Sequence, residues 1–187
     1  MALSATLEWE CRSAATAGNV NGGGFKPGAS GTDFSQQNAA QYATTAATHA
    51  AGSAVLDDAV AAADMVGNIC RVVSGTNFTL GWYEIISVVV GVSMTMDRSL
   101  GASAGTLGVV NIGGALSLAS TLDDDFFEAV IAGNTIHAQN GTFTMGEAVS
   151  MTKDGTALLP IKIKGYDVTR GDNPTGATRP TLAFGAN

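Results

Sequence analysis

The side chains able to do chemistry in this chain are few and scattered. Its densest acidic group is Asp123, Asp124, Asp125 and Glu128, residue types that bind a divalent cation when their carboxylates converge. Consecutive acids on a helix point in different directions, and the spaced ligands and glycine turn of a calcium loop are missing. Their expected role is therefore the favourable interaction of anions with a helix N-terminus. His49 and His137 are the only histidines. Neither stands in a motif with an acid or thiol, which leaves nucleophilic and zinc chemistry without support. His137 falls on the outward phase of a strand, and both histidines are expected as surface or interface hydrogen-bonding groups. Cys11 and Cys70 are expected as reduced, buried thiols rather than a disulfide.

Three short motifs have bland explanations. The glycine run Gly18-Asn19-Val20-Asn21-Gly22-Gly23-Gly24 has the composition of a phosphate cradle, but Phe25-Lys26-Pro27 follows it where a Gly-Lys-Ser/Thr step and a helix are required. A wrapping or contact loop is expected there, with a tight turn at Asn21-Gly22. Asn77-Phe78-Thr79 and Asn140-Gly141-Thr142 match the glycosylation sequon and are read as turns. Arg170-Gly171-Asp172 spells an adhesion tripeptide, a match frequent by chance. No catalytic, cofactor-binding or metal residue is assigned, no cofactor is expected, and the chain is not expected to be an enzyme.

The elements that would carry these residues are mostly strands. From Thr121 the sequence reads as a short helix, with Thr121 as N-cap, Asp123 to Asp125 in the first turn, and Leu122, Phe126, Ala129 and Val130 on one apolar face. Gly133-Asn134 ends it. The period then changes to two: Ile136 and Ala138 alternate with Thr135, His137 and Gln139, and Ile161 and Ile163 with Lys162 and Lys164. Ile136, Ile163 and Leu182 recur at intervals of about 27 and about 19 residues, the length of one solenoid coil, which predicts one strand per coil stacked in parallel.

This order resembles the N-terminal cap and first coils of right-handed parallel β-helix proteins of the pectin-lyase type. The residues that carry the resemblance are Gly133-Asn134, Gly141-Thr142-Phe143 and Pro160 to Tyr166. It implies a capped solenoid over 111–187. Its outer end would lie near Thr181 to Phe184, with Leu182 and Phe184 exposed.

In the first half, Leu7, Trp9 and Cys11 alternate with Thr6, Glu8 and Glu10 across Ala5 to Arg12, predicting a strand anchored by Trp9. Ser13 to Asp33 is dominated by glycine, asparagine and small residues and is expected to be a long loop. Asn68 to Val73, Trp82 to Val89 and Val92 to Asp97 read as consecutive strands of a small β meander or barrel. Asp57 to Met65 is helix-prone and short enough only to close one end of that module. A glycine-rich connection over 98–120 places a boundary between a module at 1–110 and another at 111–187.

Trp9-Glu10, Asn19 or Asn21 with Gly22 to Phe25, and Gly31 to Gln37 resemble, in order and identity, the N-terminus of a recurrent group of tailed-phage virion proteins. The same group is matched by Met65 to Asn68, Ser74 to Phe78, Gly81 to Ile85, Asp97-Arg98 and the Gly-Tyr-x-x-Thr-Arg-Gly-Asp run ending at Asp172. The resemblance implies a structural virion protein, most simply a capsid decoration (cement) protein on the capsid surface. Its partners would be the major capsid protein or other virion proteins, and the resemblance implies a homotrimer; covering the open solenoid end with an identical neighbour would use Ser13 to Asp33 as a clasp across the interface. The alternative is the N-terminal part of a tailspike or receptor-binding fibre that recognises host surface glycan.

Composition agrees with a β-rich, assembling chain. Of 187 residues 24 are glycine, 45% are apolar and only 13% are charged, which disfavours a helical bundle. The net charge of −7, with nine basic residues and no aromatic interleaving, argues against direct nucleic-acid binding. The longest apolar run, Ile85 to Val92, is broken by Ser87 and Gly91 and too short to span a membrane; buried subunit contacts account for it better. The N-terminus lacks the pattern of a secretory signal, so synthesis in a host cytoplasm is expected.

Overall fold

Six antiparallel strands close into a barrel in the order β3-β4-β7-β6-β5-β8. The computed structural model describes residues 3–16, 19–58, 60–117, 123–145 and 152–184. Barrel strands are β3 (Tyr42–His49), β4 (Val55–Asp57), β5 (Ile69–Thr76), β6 (Gly81–Val89), β7 (Ser93–Met96) and β8 (Gly105–Ile112). Register shifts in the β3–β8, β5–β8 and β6–β7 pairs supply the local bends that closure needs, and closure leaves the barrel without an open edge. Leu56, Cys70, Val72, Tyr83, Ile85, Met94, Met96, Val110 and Ile112 fill its interior.

Beside the barrel lies a four-stranded sheet of order β11-β9-β1-β2, formed by β1 (Glu8–Thr16), β2 (Gly24–Phe25), β9 (Thr135–Gln139) and β11 (Lys162–Tyr166). β1, β9 and β11 run parallel, so that Trp9 faces Ile136 and Ile136 faces Ile163 across the ladder. A separate parallel pair, β10 (Thr142–Met145) with β12 (Thr181–Phe184), sets Phe143 against Leu182. Leu182 thus belongs to the second ladder and does not stack on Ile163 as the spacing of the apolar positions suggested. Helix α1 (Asp123–Ala129) buries Phe126 against Trp9 and Trp82 with Phe127 packed on Phe126, and Gly133, at φ +93°, follows it. The N-cap expected at Thr121, Leu122 and the side chains of Asp123 to Asp125 lie outside the described residues.

A second core joins sheet, helix and barrel. Leu7, Trp9, Cys11, Leu116, Phe126, Val130, Ile136 and Phe143 pack with Ile69 and Trp82, which point outward from β5 and β6 while their neighbours Cys70 and Tyr83 point into the barrel. Both faces of those strands are therefore covered, which is why Ile69-Cys70 and Trp82-Tyr83 are apolar pairs instead of an apolar–polar alternation.

Three expectations are corrected: the helix at 57–65, the unstructured connection at 98–120 and the long loop at 13–33. Asp57 to Met65 is no α-helix: Asp57 pairs with Ser93, Asp58 accepts the Val60 N–H at 3.0 Å, and only a 3-10 turn at Ala63–Met65 follows. An aspartate that bonds its own backbone competes with a helix too short to nucleate. The glycine-rich connection holds strand β8, which runs through position 110/111, and β1 lies in the sheet with β9 and β11. β8 was hidden by its glycines, where a side chain would collide: a Cβ at Gly105 meets His49 Nε2 at 2.2 Å, and one at Gly108 meets Phe78 at 2.5 Å. Finally, part of the expected loop 13–33 is strand, and its described residues are fastened to their own chain. β1 extends to Thr16, β2 pairs back on Glu8 and Trp9, and Gly22 N–H donates to the Gly113 carbonyl at 2.9 Å.

Candidate functional site

The largest convergence of polar side chains lies on the sheet face opposite Trp9 and Ile136. Strand register sets Glu10 beside His137 and His137 beside Lys164, so the three share one row. After β11 the chain turns back, and the Asp172 carboxylate accepts the N–H groups of Asp167, Val168 and Thr169 at 3.0, 2.8 and 3.0 Å. These bonds, that from Asp167 foremost, hold its pKa below the usual carboxylate value.

The turn aims Arg170 inward. Its Nε and Nη2 donate to Oε2 of Glu10 at 2.9 and 2.7 Å, and its Nη1 donates to Oε2 of Glu8 at 3.2 Å. Nη1 also lies 3.6 Å from Asp33, and Nη2 donates to the Ser35 hydroxyl at 3.3 Å. The other oxygen of Glu10 accepts from Arg12 Nε at 2.9 Å and from the Tyr166 hydroxyl. Three stretches far apart in sequence, around Glu10, Asp33 and Arg170, thereby meet at one fully buried carboxylate.

Burial, joined by the hydrogen bond to Glu10, pushes the Tyr166 phenol up to about 12. His137 moves the other way, to about 4, through burial and then the positive charges of Arg170 and Lys164. Near neutral pH the phenol keeps its proton and the imidazole is uncharged. Neither is poised near pH 7, where a general acid or base works best. What the cluster does chemically is neutralise and fix a buried anion, tying β1, β9, β11 and the Asp33–Ser35 segment together.

Asn134 forms a second tie. It is fully buried, accepts from Trp9 Nε1 at 2.9 Å and from Ile131 N–H at 3.2 Å, and donates to the Ser4 carbonyl at 3.0 Å. Trp82 Nε1 donates to the Asn21 carbonyl at 3.2 Å, fastening the glycine run to the barrel. That run does not cradle an anion. Gly22 to Gly24 are buried against Ile69, Leu116 and Trp9, and a Cβ at Gly22 would stand 2.0 Å from the Ile69 carbonyl oxygen.

Both histidines are buried, which corrects their expected surface position. His49 Nδ1 is 2.8 Å from the Ala50 carbonyl, and its ring meets Phe78 edge-on at 4.5 Å. His137 is covered because the returning turn brings Arg170 over it, and its Nε2 stands 3.6 Å from Glu8. Cys11 and Cys70 are buried thiols in the two different cores, and burial pushes Cys70 up to about 12. Asn77 adopts φ +62° and Asn140 donates to Asp167 at 2.9 Å, as turn residues do. Glu128 is exposed, and among the described residues no group of His, Cys, Asp and Glu is arranged to hold a metal ion. No described helix is long and apolar enough to cross a membrane.

Residue chemistry alone would not have found Glu10, Tyr166 and Arg170 as partners; the only signal was the Trp-Glu, Gly-Thr-Asp and Thr-Arg-Gly-Asp motifs, whose meeting point sequence spacing does not encode. Comparison with known protein families, curated proteins and solved structures gives no match for this chain.

Proposed function

We propose that the chain is a structural protein of a tailed-phage particle, a capsid decoration protein that stabilises the shell and whose open sheet ends are covered by neighbouring chains. The observation that carries this reading is the outer rung of the two parallel ladders. Ile163 is 61% and Leu182 53% exposed, whereas their partners one rung inward, Ile136 and Phe143, are buried. Backbone groups along such an edge and apolar side chains at the next rung's position are a liability unless another chain covers them.

In this reading β1, β9 and β11 are successive rungs of a short right-handed parallel β-helix, with α1 packed on Trp9 as its cap. The barrel is joined to this ladder through the shared core around Ile69 and Trp82. Support comes from the interlocked architecture, in which buried ion pairs and close-packed glycines fix one conformation, and from a polar cluster suited to holding strands. The partners would be the major capsid protein and two further copies in a homotrimer.

The same exposed rungs favour a second reading, because further coils stack on such a surface in a tailspike or receptor-binding fibre that recognises host glycan. Quantitative mass spectrometry of purified particles separates the two. A copy number matching the capsid lattice identifies decoration, and a low number matching the tail identifies a spike or fibre. Absence of the protein from mature particles removes both.

A further inference from the structure

Two exposed aliphatic surfaces of this chain carry opposite charge. The first is the β6–β7 hairpin tip. From Ile86 to Val92 the sequence is Ile-Ser-Val-Val-Val-Gly-Val, and Val89, Val90 and Val92 are 59%, 66% and 57% exposed. Val60 joins this tip, since the 58–61 segment is bonded to it by Asp58 N–H to the Val92 carbonyl at 3.0 Å and Gly91 N–H to the Ala61 carbonyl at 2.8 Å. The segment is β-prone, uncharged and free of proline, the type that self-associates when left bare. Its flanks are acidic: Asp57, which pairs with Ser93 beside the tip, and Asp64 in the adjoining 3-10 turn are exposed, and Asp58 between them is half-buried and accepts the Tyr42 hydroxyl at 2.9 and 2.8 Å. None of the three forms an ion pair among the described residues.

The second surface is the 153–164 segment leading into and along β11. Leu158 is 93% exposed, Leu159 and Ile163 are also exposed, and among the described residues β11 is bonded only to β9, so that its outer edge is bordered by Ile163 on one face and by Lys162 and Lys164 on the other. Lys153, Lys162 and Lys164 are exposed in this segment, with Asp154 the one acid among them. These are three of the nine basic residues of the chain, and none of the three forms an ion pair among the described residues.

We infer that the acid-flanked hairpin tip of one subunit docks on the lysine-flanked 153–164 surface of a second copy, in a head-to-tail contact. Charge decides the occupant. Tip against tip would bring the exposed Asp57 and Asp64 close to their own copies, an anionic membrane would repel them, and the lysine-bearing surface of this same chain complements them. A contact between two different patches is heterologous, so it closes into a ring or propagates as a filament. The inference rests on the assembly role proposed above, and it names the partner of the exposed β11 rung.

The test uses two variants that each disable one surface. Val90→Asp removes the tip, and the double variant Lys153→Glu/Lys162→Glu reverses the other patch; all three positions are exposed and lie outside the polar cluster, so circular dichroism and melting should match the parent protein. In sedimentation velocity the parent should form oligomers, and each variant alone should be monomeric, with affinity reduced by at least about tenfold. An equimolar mixture should give a dimer that grows no further, because one intact tip meets one intact lysine patch. Adding Asp57→Lys/Asp64→Lys to the lysine variant should restore self-association. If Val90→Asp perturbs the fold, Val89→Asp takes its place. A parent chain that stays monomeric, variants that still oligomerise alone, or a mixture that remains monomeric would each overturn the contact. Incorporation into particles is measured separately, so a virion protein that fails this assay loses the contact and keeps its role.

Discussion

Arg170 and Glu10, 160 positions apart in the chain, are joined through two guanidinium nitrogens that both donate to one oxygen of a fully buried carboxylate. The Tyr166 hydroxyl donates to the other oxygen of the same carboxylate, so that Glu10 is held from β11 and from the turn that follows it. This pair is the side-chain bolt between the returning turn and the first strand.

Removing the cation therefore leaves a buried charge half compensated. Arg170→Ala should destabilise the chain by about 3 kcal/mol, the range for breaking a buried pair by deleting one partner. The neighbouring Asp172→Ala, at an exposed turn, should cost less. Urea denaturation of both variants reads the difference; equal and small effects would show that Arg12 and Tyr166 suffice to hold Glu10.

His137 gives the fold a pH dependence of definite sign. An unfolded chain takes up this proton near 6.5, and the folded chain only near 4. Protons therefore favour the unfolded state within that window, and stability falls as pH drops from about 6.5 to about 4, with no further loss from this residue below it. His137→Gln should flatten that part of the stability curve. Melting temperatures across pH 4 to 7 would check it.

Gly22 is the position least able to accept a side chain. A Cβ there stands 2.0 Å from the Ile69 carbonyl oxygen, a backbone atom held in β5, so the clash cannot be relieved by a rotamer change. Gly22→Ala should cost about 3 kcal/mol through overpacking, or prevent folding. Gly28→Ala is the control: no atom lies within 4 Å of its Cβ, and only the φ of +81° is unfavourable, at about 1 kcal/mol. Thermal melts should separate the two clearly.

The thiols should be inert in the folded protein. Cys70 is fully buried with its pKa pushed up to about 12, and Cys11 is fully buried in the other core. Alkylation under native conditions should label neither, and denaturant should expose both to labelling. Rapid native labelling of Cys70 would mean that the barrel opens far more readily than its packing implies.

Local periodicity made the strands around Trp9, Ile136, Ile163, Cys70 and Trp82 readable, because each alternates or is flanked by turn residues. β3 and β8 escaped notice for a physical reason. Tyr42 to His49 is built of alanine and threonine with little apolar contrast, and β8 carries glycines that make room for His49 and Phe78. The fate of Glu10 and His137 was equally hidden: their strand phase is polar, and only a turn near position 170 converts that face into an interior. Leu182 shows the limit of spacing arguments, since its distance from Ile163 suits a coil and yet its partner is Phe143.

A density map of the intact particle tests the assembly reading most directly. The account predicts a six-stranded barrel with its attached parallel ladders on the outer surface of the shell, and neighbouring density over Ile163 and Leu182. Particles whose density has no place for this subunit, or a subunit whose β11 and β12 edges face bare solvent, would contradict it.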